Sequence, residues 1–419
     1  MKITEIECHV VVVPEADPEA CSSAQDDLVV VVHTDEGVSG IGEVDTNPWV
    51  ARAMIEAPGT HCMGLGLREM LIGQDPLTPE PLWERMYVGS AMTGRRGLGI
   101  CAMGALDMAL WDIRGKAMGK PCWQLLGGPC QRSLTPYASL LPTGRTLRQY
   151  QRSLVEKALA AQAADFHAAK LEVCIRGPYS HNGIQESNEA IVETVAACRE
   201  AVGAEMTLMV DVAYAWTDPR EALEVIKRLE QYNLYFIETP LNIDNLDGYA
   251  FLAEQSPMRI AAGEWQNTRF EFIELMDRGR IDVAQPDVGR VGGLTEARRV
   301  LELAAERGRL VVPHCWKTEI GIAASAHLAA AAAHCPYLEY LPVALAESEL
   351  RKELATSGLR MVDGRIPLPT EPGLGITLNW EAIRRFKAPE LLGSRRGGPG
   401  RLSGASTRSV GGDGARVQS

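Results

Sequence analysis

The sequence has no Cys-x-x-Cys pair and no zinc-finger spacing, although it contains ten cysteines. In a chain of 419 residues, scattered cysteines are typical of reduced and mostly buried thiols, which predicts a cytoplasmic protein. Near the N-terminus the only long apolar run is that of the four valines Val10 to Val13. This run is too short for an export signal or a membrane span, so neither is expected.

Excess positive charge is also lacking, since the formal net charge is −12. This balance argues against nucleic acid or an anionic membrane surface as the partner. The contents of apolar residues (46%) and charged residues (23%) are those of a globular protein with a large core and two or three domains. The exception is the Gly/Arg-rich tail, residues 388–419, which has too few apolar side chains to order itself. We expect a disordered tail, with contact to RNA or lipid as the alternative.

A Gly-rich dinucleotide fingerprint is absent from the region of residues 131–350, in which short apolar runs alternate with helical segments. Regular alternation of this kind predicts parallel strands joined by right-handed crossovers. About eight strands without that fingerprint favour a closed α/β barrel over a doubly wound sheet. The runs include HAAKLEV, MTLMVDV, LYFIETP, RIAAGE, DVAQPDV, LVVPHCW and YLEYLP.

Residues 1–130 have the pattern of a separate α+β domain. Two β-rich runs are followed by the segment GICAMGALDMALWDIRGKAMG, whose apolar residues recur at helical spacing up to Gly119. Residues 351–387 are interpreted as an extended segment that returns to this first domain.

Acidic side chains stand where three consecutive barrel strands are predicted to end. Asp211, Glu238 and Glu264 are separated by 27 and 26 residues, close to one strand–helix unit each. Three carboxylates that meet at a barrel mouth need a compensating charge. Because oxygen ligands suit a hard cation, the pattern predicts a divalent metal site, with Mg²⁺ as the expected ion.

The next two strands end in Asp287 and His314. A carboxylate that accepts a hydrogen bond from one imidazole nitrogen fixes the tautomer and leaves the other nitrogen as a general base or acid. We therefore predict an Asp287–His314 dyad beside the metal.

The segments ALDMALWDIRGKAMGKPCWQLLGG, IETP, AAGE, QPDVGRVGGLTEA and PHCW occur in this order. In this respect the chain resembles the mandelate racemase group of the enolase superfamily, over residues 1 to about 385. The resemblance implies a modified (β/α)7β TIM-like barrel, with an α+β N-terminal capping domain completed by the C-terminal segment. It also implies Mg²⁺-assisted removal of the proton α to a carboxylate, with Asp211, Glu238 and Glu264 as ligands. Glu339, at the end of the last strand, matches a position that helps to hold the substrate.

The stretch AKLEV departs from the group's pattern, which has two lysines, K-x-K, on the second barrel strand. Lys170 matches the first lysine and is expected to act as a fixed cation, whereas Glu172 replaces the second lysine, a base in the group. Glu172 is interpreted as a structural partner of a cation, as a ligand for a substrate hydroxyl, or as an unusual acid/base. Loss of the second lysine favours dehydration over racemisation, because only one dyad remains.

Four further side chains are weighed as neighbours of the predicted site. His181, in the loop SHNG, is expected to be a solvent-exposed loop residue, with substrate contact as the alternative. Arg95 and Arg96 either recognise the substrate from the capping domain or lie on the surface. Tyr214, three residues after Asp211, is expected to be packing or pocket wall.

These residues together predict an Mg²⁺-dependent acid-sugar dehydratase that acts on a small-molecule aldonate or aldarate and releases a 2-keto-3-deoxy acid. The alternatives are a racemase, epimerase or cycloisomerase of the same group, or a non-catalytic regulatory member. Substrate specificity is expected in the segment PEADPEACSSAQ, in DTNPWVARAMIEAP and in the loop after the second barrel strand. A symmetric homo-oligomer is expected from the resemblance.

Overall fold

The structure, a computed structural model, describes residues 1–16, 23–340, 345 and 348–388. The predicted tail lies outside this range apart from Ala388, and so does part of the segment PEADPEACSSAQ. Within the described residues, no helix is both long and apolar enough to cross a membrane.

An antiparallel sheet opens the chain. Its strands are paired in chain order, and its buried faces are rich in valine, as expected for a packed pleated surface. They are β1 (Ile3–Val12), β2 (Asp26–Thr34) and β3 (Ser39–Val44).

A second sheet contains eight parallel strands, which begin after a short strand, β4 (Ser133–Leu134). The first seven of these strands pair with their neighbours in the chain, and the eighth pairs with the first. The eight strands are β5 (Pro136–Leu140), β6 (Ala168–Glu172), β7 (Thr207–Asp211), β8 (Leu234–Glu238), β9 (Arg259–Ala262), β10 (Val283–Ala284), β11 (Leu310–Val311) and β12 (Leu338–Tyr340).

The eight-stranded sheet curls around one apolar interior. One buried side chain from each of seven successive strands, or from the residue just after the strand, belongs to a single cluster. A flat sheet could not bring its two ends into the same cluster, so the strands surround a filled barrel core. The cluster consists of Tyr137, Ala168, Met209, Phe236, Ala261, Val283 and Val312.

Helices cover the outside of the barrel and link it to the N-terminal sheet. Several begin at a side chain that accepts from a free backbone N–H of the first turn, such as Ser187 and Asp218. In the N-terminal region the helices are α1 (Pro48–Glu56), α2 (Leu67–Leu71), α3 (Pro79–Gly89), α4 (Ala91–Gly94), α5 (Leu98–Met118) and α6 (Cys122–Leu125). Around the barrel they are α7 (Leu147–Ala163), α8 (Asn188–Val202), α9 (Pro219–Leu229), α10 (Leu246–Gln255), α11 (Thr268–Asp277), α12 (Val288–Val291), α13 (Gly293–Glu306) and α14 (Glu319–Ala330).

Helix α5 is buried between the N-terminal sheet and the barrel. Its residues Leu106 and Leu110 belong to the core of the N-terminal sheet, whereas Met108 and Trp111 belong to the core outside the barrel strands. The sheet approaches so closely that a Cβ on Gly42 would lie 2.0 Å from the Ala105 carbonyl oxygen. The helix is therefore buried over most of its length, and most of its residues are apolar.

The C-terminal segment runs back to the N-terminal region. Its elements are α15 (Glu349–Glu353), β13 (Ala355–Ser357), β14 (Ile366–Pro367), β15 (Ile376–Leu378) and α16 (Trp380–Phe386). Leu374 donates its backbone N–H to Asp112 of α5 at 2.8 Å, and Ala388 donates to the carbonyl of Val10 at 2.9 Å. The predicted barrel-and-cap fold class is confirmed; the boundaries near residues 130 and 350 stay predictions.

Candidate active site

The carboxyl ends of the barrel strands bring three acidic side chains together. Asp211 and Glu238 are the last residues of β7 and β8, and Glu264 follows β9 after Gly263. One carboxylate oxygen from each lies within 4.8 Å of the other two. We call Asp211, Glu238 and Glu264 the carboxylate triad; the spacing in the sequence predicted that these three residues meet.

Each member of the triad is held by a fixed donor. The Thr239 hydroxyl donates to Asp211 Oδ1 at 2.6 Å, and the Gln285 amide donates to Glu238 Oε2 at 2.6 Å. The Tyr214 hydroxyl donates to Glu264 Oε1 at 2.6 Å. These donors orient the three carboxylates without adding a positive charge.

Tyr214 has a different role from the one that the sequence indicated. Packing or a place in the pocket wall was expected, and its hydroxyl in fact donates to a carboxylate of the triad. The backbone at Ala213 and Tyr214 is in the left-handed region, with φ of 44° and 60°. Two successive non-glycine residues in this region are strained, and such strain is concentrated at functional sites. The sequence carries no signal for this turn.

His314 and Asp287 form the predicted dyad. Asp287 Oδ2 lies 2.7 Å from His314 Nδ1, so Nδ1 carries a hydrogen and Nε2 is the nitrogen that can take up or release a proton. His314 Nε2 lies 3.2 Å from Glu264 Oε2, which places this nitrogen at the edge of the triad. Burial opposes protonation, but the hydrogen bond with Asp287 and the carboxylate of Glu264 raise the pKa of His314 to about 9.

Lys170 is a buried cation between two strand ends. Its Nζ atom lies 2.9 Å from Glu238 Oε1 and 2.9 Å from Glu339 Oε1. The backbone N–H of Cys315 donates to the other Glu339 oxygen at 2.8 Å. Although burial favours the neutral amine, the charges of Glu238 and Glu339 hold the pKa of Lys170 well above its usual value. Lys170 therefore remains charged and ties Glu339 to the triad.

Glu172 lies beside Lys170, but the two are not in direct hydrogen-bond contact. The distance from Lys170 Nζ to Glu172 Oε1 is 3.8 Å, and the Ser139 hydroxyl donates to the same oxygen at 3.4 Å. Burial, together with the nearby charge of Asp211, raises the pKa of Glu172 well above its usual value. A second positive charge near Glu172 would oppose this rise.

The expectation that His181 is exposed to solvent is wrong. Its side chain is buried, because its backbone N–H donates to the Cys174 carbonyl at 2.7 Å and draws the loop back onto the strand end. His181 Nδ1 lies 3.1 Å from the Tyr150 hydroxyl oxygen. Burial lowers the pKa of His181 to about 4. The sequence could not show the return of this loop, which depends on backbone hydrogen bonds.

The two candidate arginines, Arg95 and Arg96, lie in different surroundings. The side chain of Arg95 is exposed, and the structure shows no polar contact between it and the residues of the site. Arg96 pairs with Glu271 at 3.0 Å, on α11. Substrate recognition by Arg95 therefore stays a prediction without a contact to support it.

The N-terminal sheet contributes a residue that the sequence did not single out. Asp45 follows β3 and offers a carboxylate oxygen within 4.8 Å of ligating atoms of Asp287 and His314. Its Oδ2 lies 2.6 Å from the partly buried guanidinium of Arg290, and its Oδ1 lies 3.8 Å from Lys317 Nζ. Asp45 is the first residue of the segment DTNPWVARAMIEAP, for which a role in specificity was expected.

The triad has the donor set of a hard divalent cation. All three ligands are carboxylates, and burial, with the charge of Asp211 added, raises the pKa of Glu238 to about 8 despite the contact with Lys170. Three such groups in one buried space repel one another unless a positive charge lies between them. The residues present therefore fit a divalent metal ion.

Comparisons with known proteins place this geometry in a family. The profile of the enolase C-terminal domain-like group matches residues 153–382. That of the mandelate racemase / muconate lactonizing enzyme N-terminal domain matches residues 6–127. The two matches together include most of the N-terminal sheet, most of α7, all the later helices of the barrel and seven of its eight strands.

Similar proteins include both dehydratases and cycloisomerases. The D-galactarolactone cycloisomerase of Agrobacterium fabrum is 30% identical over 93% of this chain and 100% of its own length. The arabinonate dehydratase of Saccharolobus solfataricus is 32% identical over 77% of this chain and 81% of its own. The crystal structure of the 3,6-anhydro-D-galactonate cycloisomerase from Zobellia galactanivorans has a TM-score of 0.81 and 29% identity, over 93% of this chain and 100% of that one.

The matched domains cover most of the chain, and the Zobellia galactanivorans structure has a similar fold over 93% of it. The reactions named for these relatives differ, so the likeness extends to the fold and the superfamily rather than to one substrate. The chain belongs to the mandelate racemase group of the enolase superfamily.

Proposed function

We propose that the protein is an Mg²⁺-dependent acid-sugar dehydratase that converts an aldonate or aldarate to a 2-keto-3-deoxy acid. The observation that carries the proposal is the position of His314 Nε2, 3.2 Å from a triad oxygen and backed by Asp287 at 2.7 Å. A base at this point lies next to a carboxylate substrate whose oxygens face the triad.

Asp211, Glu238 and Glu264 would hold the cation. When bound, Mg²⁺ supplies the positive charge against which the substrate oxygens become anionic as the α-proton leaves. The α-proton of a carboxylate is too weakly acidic for an imidazole without such a charge. Lys170 contacts both Glu238 and Glu339, and together with Glu339 it orients the substrate carboxylate.

His314 performs the proton transfers in this proposal. Its Nε2 takes the proton from the α-carbon, and Asp287 accepts a hydrogen bond from Nδ1–H and stabilises the imidazolium that forms. The same imidazolium then donates the proton to the departing β-hydroxyl, which leaves as water. The enol product tautomerises to the 2-keto-3-deoxy acid.

Dehydration needs one proton-transfer group, and the His314–Asp287 dyad is such a group. On the side of β6, Glu172 stands where the group's pattern has a lysine base. This replacement supports dehydration rather than racemisation, which needs a base on each face of the α-carbon.

Cycloisomerisation is the second candidate. The observation that favours it is the likeness to the D-galactarolactone cycloisomerase over 93% of this chain and 100% of that protein. Cycloisomerisation also begins with removal of an α-proton, but the leaving group is then a ring oxygen of the substrate and no water is released.

The test is a panel of mono- and diacid sugars and their lactones, incubated with the protein and Mg²⁺. Semicarbazide absorbance reports 2-keto-3-deoxy products, and proton NMR in D₂O reports exchange at the α-carbon. Keto product from an open-chain acid supports dehydration. Keto product from lactones alone would favour cycloisomerisation, and exchange without keto product would favour epimerisation.

A further inference from the structure

A second cluster of metal-ligating side chains lies beside the carboxylate triad. Glu172 ends β6, Cys174 follows two residues later, and His181 begins a 3-10 turn, His181–Gly183. A carboxylate oxygen of Glu172, the Cys174 sulfur and a ring nitrogen of His181 lie within 4.8 Å of one another, and all three residues are buried. We propose that these three residues, the Glu–Cys–His cluster, are a second metal site, for a borderline-soft divalent cation such as Zn²⁺.

The donor atoms distinguish this cluster from the triad. The triad offers only carboxylate oxygens, which suit Mg²⁺, whereas the cluster offers one oxygen, one sulfur and one nitrogen. Catalytic zinc typically has three protein ligands and one open coordination position. A metal held here would have a free position for water or substrate.

The Tyr150 hydroxyl fixes the tautomer of His181. The Tyr150 hydroxyl donates to the Glu172 carbonyl at 2.6 Å and accepts from the Cys174 backbone N–H at 3.2 Å. Because that hydroxyl proton is engaged, the contact of 3.1 Å with His181 Nδ1 requires the hydrogen on Nδ1. His181 Nε2 then keeps its lone pair. Metal-binding histidines usually donate their other N–H to such an outer partner.

The cluster is fixed before any metal binds. His181 donates its backbone N–H to the Cys174 carbonyl at 2.7 Å, and Glu186 donates to the Ile175 carbonyl at 2.8 Å. These two bonds fasten the loop to the strand end. The Cys174 Sγ atom lies 3.6 Å from Glu172 Oε2 and 3.7 Å from the Asp211 carbonyl oxygen. Little chain entropy would be lost on binding.

The cluster lies directly beside the carboxylate triad. Glu172 pairs in register with Asp211 on the neighbouring strand, so the carboxyl ends of β6 and β7 bring the two sites together.

Cobalt tests the second site without any assay of turnover. The full chain is stripped with a chelator, saturated with Mg²⁺ and titrated with Co²⁺. Coordination removes the Cys174 thiol proton to solvent and gives a thiolate-to-cobalt charge-transfer band, which should saturate at one equivalent and disappear when Zn²⁺ is added. Cobalt at the all-oxygen triad gives no such band, so this proposal and the proposed function can fail separately.

Variants assign the band to its ligands. Cys174→Ser should abolish it, whereas Cys198→Ser, at a buried cysteine of α8, should leave it unchanged. Tyr150→Phe should weaken cobalt binding about 10–100-fold, since it removes an outer partner of the ligands. If Cys174→Ser does not fold, His181→Ala gives the same test through a fall of at least tenfold in cobalt affinity. Absence of the band at saturating Co²⁺, its persistence in Cys174→Ser or unchanged affinity in His181→Ala would overturn the proposal.

Discussion

Lys170 is a buried cation that touches two buried carboxylates, those of Glu238 and Glu339. A buried ion pair contributes little net stability when it is complete, because both charges have lost their water. Removal of one partner is different, since it leaves a buried charge without compensation. Lys170 is therefore a residue whose loss should affect stability and activity together.

Lys170→Met should lower the free energy of unfolding of the metal-free protein by about 3–5 kcal/mol, the cost of breaking a buried pair. Urea unfolding followed by circular dichroism measures the change. The matched control is Arg228→Met, which breaks an exposed pair with Glu189 and should cost at most about 1 kcal/mol. Equal losses in the two variants would mean that Lys170 does not compensate the site.

The sequence predicted several residues of the candidate site because each of them ends or follows an apolar run. The carboxylates Asp211, Glu238 and Glu264 recur at one strand–helix unit, and the topology of a parallel barrel turns that spacing into proximity. Tyr214 and His181 could not be placed in this way. Their positions depend on a left-handed turn and on a loop that folds back, and neither has a periodic signal.

Helix α5 connects the parts of the fold at the scale of elements. Its buried Asp112 accepts from the Ile41 N–H of β3 at 3.1 Å and from the Leu374 N–H of the C-terminal segment at 2.8 Å. It also pairs with Lys116 at 2.7 Å. One carboxylate thus joins the N-terminal sheet, the helix and the returning chain.

Asp112→Ala should lower the free energy of unfolding by about 2–5 kcal/mol, because two buried backbone N–H groups lose their acceptor. Chemical denaturation measures this loss. As a control, Glu80→Gln weakens a partly exposed ion pair with Arg114 of the same helix and should cost less than about 1 kcal/mol. A small effect of Asp112→Ala would show that the junction is held by apolar packing alone.

The sequence predicted α5 well, since its apolar residues recur over many turns and Gly119 closes it in the left-handed conformation. The first barrel strand, Pro136–Leu140, was not among the runs that it singled out. Every residue of this strand is buried, so it has neither an alternating pattern nor a charged end. Short buried strands of this kind can be recognised only from their pairing in the folded barrel.

At the scale of the whole molecule, the N-terminal sheet closes over the barrel mouth. Lys317, three residues after His314, reaches the Asp26 carboxylate of β2 at 2.9 Å, and Arg290 reaches Asp45 at 2.6 Å. The dyad thus lies where barrel and cap meet, so both parts shape the space for a substrate. The symmetric homo-oligomer stays a prediction, which light scattering can test.

We propose that the whole fold serves to place one base, His314, beside a metal-binding triad. It is tested most directly with His314→Asn, whose side chain can still bond Asp287 but cannot take a proton. With Mg²⁺ and the best acid sugar of the panel, kcat should fall by at least about 10²–10⁴-fold while KM changes little. Wild-type rates of keto-acid formation and α-proton exchange in His314→Asn would contradict the account.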